Sequence, residues 1–107
     1  KMAKTITLEY EDKEYVLEFS RDSITAMERS GFDLAKVNSK PLSVVKDLFA
    51  GAFKKNHASV SSRKIDEIYK CIGDLDVLLD RLVDMYNEAL VSLDDEDSKK
   101  VQWTASW

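Results

Sequence analysis

A chain of 107 residues has room for one hydrophobic core, and 44% hydrophobic with 34% charged residues is the balance of a folded domain, not of a disordered one. A formal net charge of −4 gives nucleic acid little to attract, and no apolar run approaches the roughly 20 residues of a membrane-spanning helix, so neither is an expected partner. The single cysteine, Cys71, excludes an internal disulfide and agrees with a reducing compartment, while Met2, preceded by Lys1, is read as the natural start.

Ile6, Leu8 and Tyr10 alternate with Thr5, Thr7 and Glu9, and Tyr15, Leu17 and Phe19 alternate with Glu14, Val16 and Glu18. This period of two predicts a β-hairpin with one apolar face, turning at Glu11-Asp12-Lys13. An isolated hairpin is marginal in water, so that face has to lie on helices or pair with another strand, from this chain or another copy.

After Phe19 the spacing becomes helical. Ser20 or Asp22 can cap a short helix carrying Ile24 and Met27, and Gly31 suits the left-handed position that ends it. Phe32 to Lys40 read as a loop anchored by Phe32 and Leu34. Pro41 fits the first turn of a second helix, with a core face of Leu42, Val45, Phe49, Ala52 and Phe53 and fraying near Lys54 to His57. Ser59, Ser61 or Ser62 starts a third helix with Ile65, Ile68, Tyr69 and Ile72 on one side, and Gly73 stops it.

Asp74 can cap the longest helix, in which Leu75, Leu78, Leu79, Leu82, Tyr86, Ala89, Leu90 and Leu93 recur at steps of three and four. Asp76, Asp80, Asp84 and Glu88 avoid that stripe. Asp94 to Asp97 form an acidic run, and the remainder, through Val101-Gln102-Trp103-Thr104-Ala105-Ser106-Trp107, lacks a period and is expected to be flexible. The expected fold is α+β, an N-terminal β-hairpin followed by about four α-helices. The domain covers residues 2–94, and an acidic, then Trp-containing, flexible tail covers 95–107.

Nucleophilic catalysis needs a nucleophile, a base and an orienting group together, yet the one histidine, His57, and the one cysteine, Cys71, fall in separate elements. His57, beside Lys54, Lys55 and Asn56, is expected at the surface, and Cys71 is expected to serve as a small buried hydrophobe. Asp74, Asp76, Asp80 and Asp84 spread around a solvated helical face without a calcium-loop pattern or histidine partners. Gly31, Gly51 and Gly73 make no phosphate loop. No enzymatic activity, cofactor or metal is therefore expected.

Surface for partners remains. At 100° per residue Val77 and Val91 fall opposite the leucine stripe, beside Asp84, and Val44 lies away from the main stripe of the second helix with Leu48 at its edge. Either they are ordinary lone exposed apolar residues, or they belong to a second apolar surface used for self-association or for a client segment. Trp103 and Trp107 pose the same choice between folding back into a groove and anchoring on another protein. The candidate partner-binding residues are thus Val44, Leu48, Val77, Val91, Trp103 and Trp107.

A hairpin reading Thr5-Ile6-Thr7-Leu8-Glu9-Tyr10 and Tyr15-Val16-Leu17-Glu18-Phe19 leads to a short helix ending Met27-Glu28-Arg29-Ser30-Gly31. A loop, a helix opening Pro41-Leu42, a Ser-rich break and a final helical pair follow. From Met2 to about Leu93 this order resembles the tail assembly chaperones of siphophages and related prophages. The resemblance implies a non-catalytic protein that binds and solubilises the tape measure protein during tail morphogenesis. It further implies work in the host bacterial cytoplasm, absence from the mature virion, self-association, and contact with the tail tube protein. A small regulatory or adaptor domain docking one partner, or a minor structural protein of the virion, are the alternatives.

Overall fold

Alternation becomes pairing at the N-terminus of the computed structural model, which describes residues 4–92 and 101–107. Strands β1 (Ile6–Tyr10) and β2 (Lys13–Leu17) run antiparallel, with Leu8 opposite Tyr15 and Ile6 opposite Leu17. Glu11 and Asp12 alone form the turn, at φ 52° and 64°, the left-handed pair whose twist suits a two-residue hairpin. Lys13, expected in the turn, pairs with Tyr10 instead.

Ser20 ends the hairpin and starts α1 (Arg21–Arg29) through a reciprocal box. Its hydroxyl accepts from the Ser23 amide at 3.1 Å while its own amide donates to the Ser23 hydroxyl at 2.9 Å. Gly31 follows at φ 98°, a conformation glycine adopts without steric cost. Within the expected loop, Leu34–Val37 form a single 3-10 turn, capped by the Asp33 side chain on the Ala35 amide. Pro41 then opens α2 (Pro41–Gly51), Ser61 caps α3 (Ser62–Tyr69), and α4 (Leu75–Val91) is the longest element. The α+β architecture expected from the pattern is the one observed.

Packing departs from the pattern in α2. This helix touches α1, the 3-10 turn, α3 and α4, so it buries a wide arc in place of one stripe. Val44 and Leu48 are 4% and 0% exposed and belong to the core beside Val45 and Phe49; as partner-binding candidates they are withdrawn. Leu42, assigned to the core face, is 70% exposed in the first turn of α2. At the other end, the space a Cβ on Gly51 would take is filled by the Met27 side chain of α1.

In α4 the buried residues are Leu82, Met85 and Tyr86, and Phe19 and Phe32 each meet Tyr86 edge-on with ring centroids 5.5 Å apart. The stripe is rotated slightly from the expected one: Met85 joins it, while Leu90 is half-exposed. Asp74 precedes α4 in the left-handed region, φ 52°, and makes no side-chain cap. Cys71 is exposed, not buried as expected, since α3 ends at Tyr69 and the helical spacing no longer governs where Cys71 points. Leu93 and the acidic run Asp94 to Asp97 lie outside the described residues.

Candidate partner-binding surface

In a two-residue hairpin the residues flanking the turn exchange ladder bonds, so Tyr10, Leu8 and Ile6 aim their backbone groups at β2 while Thr7 and Glu9 aim theirs away. The same alternation sends the backbone groups of Val16 and Glu18 outward from β2, and there they are met. The Val16 amide donates to His57 Nε2 at 2.9 Å, Asn56 Nδ2 donates to the Val16 carbonyl at 3.2 Å, and the Glu18 amide donates to the Ala52 carbonyl at 3.0 Å. The chain after α2 therefore closes the outer edge of β2. On β1 the outward groups of Thr7 and Glu9 have no hydrogen-bond partner among the described residues.

His57 is thus a structural residue and not the plain surface histidine expected. Its ring is half-buried, edge-on to Tyr15 at 5.2 Å, and its Nε2, as an acceptor, carries no proton. Sequence reasoning had no signal for this, because the partner is a backbone N–H 41 positions away.

β1 is held at both ends. The Lys4 amide donates to Glu88 Oε1 at 2.7 Å on α4, and the Tyr10 hydroxyl donates to Glu67 Oε2 at 2.7 Å on α3. Lys64 joins the second contact, with its Nζ 3.1 Å from Glu67 and 3.3 Å from Glu11. Hydrogen bonding to Glu67 pushes the Tyr10 hydroxyl far above its ordinary range, and the bonds from Tyr10 and then Lys64 hold the Glu67 carboxyl below its own. The same contacts with Glu67 and Glu11 raise Lys64. The cluster is solvent-facing, so its role is to fix the position of the hairpin more than to stabilise the fold.

Four candidate residues remain at the surface. Val77 and Val91 are 51% and 73% exposed on α4, and Trp103 and Trp107 are 79% and 103% exposed. Of the two alternatives for the tryptophans, folding back into a groove is not what the structure has. An open groove of about 340 Å³, which the sequence did not announce, lies between α1, the end of α2 and the start of α3, and is lined in part by Met27, Phe32, Phe53, Val60 and Ile65. The imidazole nitrogen of His57 on its wall is committed to Val16, and Cys71 is not among the lining residues. Among the described residues no group of three or more His, Cys, Asp or Glu could hold a metal ion, and no helix is long and apolar enough to cross a membrane.

A family model described as a domain of unknown function (DUF5055) matches residues 2–107. No curated protein and no solved structure matches the chain.

Proposed function

The chain belongs to the DUF5055 family, a domain of unknown function, so its role has to be argued from its surface. We propose that it is a non-catalytic phage tail assembly chaperone that binds the tape measure protein, keeps it soluble in the host cytoplasm while the tail is built, and stays out of the mature virion. What supports the reading is one observation: a chain of net charge −4 holds two tryptophans and two helix valines at its surface, where they serve no internal packing. Apolar and aromatic anchors on an acidic exterior suit a binder of long amphipathic helices, which aggregate when bare. The order of elements that resembles the tail assembly chaperones points the same way.

Co-expression tests it. The chain should raise the soluble fraction of a tape-measure-type helical client, and Val77→Asp with Val91→Asp should abolish that gain while thermal unfolding stays near wild type, both sites being exposed. A client equally insoluble with and without the chain would sink the proposal. A double variant that still solubilises the client would move the contact off α4.

A further inference from the structure

Two features of the chain are complementary, and neither is used within the described molecule. The first is the open edge of β1, in a sheet of only two strands, fewer than the roughly three that a sheet needs to stand alone. The strand Ile-Thr-Leu-Glu-Tyr contains no proline or lysine to blunt that edge.

The second is residues 101–107. At helical spacing they show no period, but as extended chain they do: Val101, Trp103, Ala105 and Trp107 share one face and Gln102, Thr104 and Ser106 the other. The apolar face is in solvent, with Val101 78% exposed alongside the two tryptophans. Such a segment has the pattern of a half-buried strand and no sheet to join.

We propose that residues 101–107 of one copy of this protein add as a third, antiparallel strand to the β1 edge of a second copy. There the outward groups of Thr7 and Glu9 gain ladder partners, and the Val101, Trp103, Ala105 and Trp107 face extends the row of Ile6, Leu8 and Tyr10, which is only half-buried. The polar face lies beside Thr5, Thr7 and Glu9 with no like charge opposed.

The occupant is a second copy because one chain displays the free edge and the free segment at the same time. These are different surfaces, so the contact is head-to-tail and propagates into rings or filaments. It does not depend on the client reading, since purified chain is enough to test it.

Trp103 and Trp107 are the two tryptophans of the chain, so tryptophan emission reports on the segment alone. With rising concentration, sedimentation velocity should show mass growing beyond the monomer while the emission shifts to the blue. Thr7→Pro removes an outward N–H without touching the β1–β2 ladder, and Trp103→Ser with Trp107→Ser removes the anchors; each variant alone should stay monomeric. Mixed, they should form a one-to-one dimer that grows no further, because one keeps an intact segment and the other an intact edge. The tryptophan variant alters exposed side chains only, so it carries the test if Thr7→Pro fails to fold. Wild-type chain that stays monomeric throughout the series overturns the proposal, as does association persisting in the tryptophan variant. A blue shift independent of concentration overturns it too, since the segment would then close on its own edge.

Discussion

His57 acts through a lone pair. Phenylalanine in its place keeps a ring against Tyr15 and Phe53 but leaves the Val16 amide without its acceptor. An unsatisfied buried donor costs about 1–3 kcal/mol, and a half-buried one falls at the lower end. Thermal unfolding should therefore order wild type above His57→Gln, which keeps an acceptor, and His57→Gln above His57→Phe; identical midpoints would show that the bond contributes nothing. Gly51→Ala should change stability little: the atoms in the way are the far end of the Met27 side chain, which borders the open groove and can swing aside, and the roughly 1 kcal/mol that alanine gains over glycine in a helix offsets the adjustment; a denaturant midpoint well below wild type would show that Met27 is locked in place.

At the level of elements, Tyr15 and Leu17 bury one face of the hairpin in the core while polar contacts from Tyr10 and Lys4 fix its outer strand, and the first of these contacts depends on pH. The Glu67 carboxyl is held low in the folded chain, chiefly by the Tyr10 hydroxyl, so folding favours its ionised form. That contribution is complete above the ordinary carboxylate pKa of about 4.3 and is lost as pH falls through the lowered folded value. Tyr10 runs in the opposite sense: its raised hydroxyl contributes fully below the ordinary pKa of about 10, and the contribution is lost as pH rises beyond it. Tyr10→Phe removes the largest cause of the Glu67 shift. Its stability should accordingly fall less steeply than wild type on acidification, and parallel urea midpoints across the acid range would count against the bond. Hydrogen exchange on dilute, monomeric chain offers a second check on the hairpin: the Thr7 and Glu9 amides should exchange faster than those of Ile6 and Leu8.

For the whole molecule, the cluster around Phe49, Phe53, Leu48 and Leu82 joins both strands to all four helices in one core. Leu82 is fully buried while Leu79 is only half-buried, so Leu82→Ala should cost about 2–5 kcal/mol in a single cooperative transition and Leu79→Ala clearly less. Equal losses at the two sites, or a second transition, would contradict a single core centred between α2 and α4.

Local chemistry made the elements legible. Period two wrote the hairpin, steps of three and four wrote the helices, and Ser20, Gly31, Pro41 and Ser61 marked their ends, because a turn or cap is settled by residues a few positions apart. The exposure of Val77, Val91, Trp103 and Trp107 was legible in the same way, as apolar residues off any stripe. Burial was another matter, being set by residues far apart in sequence. Val44 and Leu48 went to the core because α2 has four neighbouring elements where a one-stripe pattern assumes one, and Leu42, in its first turn, went to solvent. Tertiary structure alone closed the edge of β2 with residues 52 to 57 and left that of β1 open, since each outward backbone group can be satisfied only by a segment that folding carries to it.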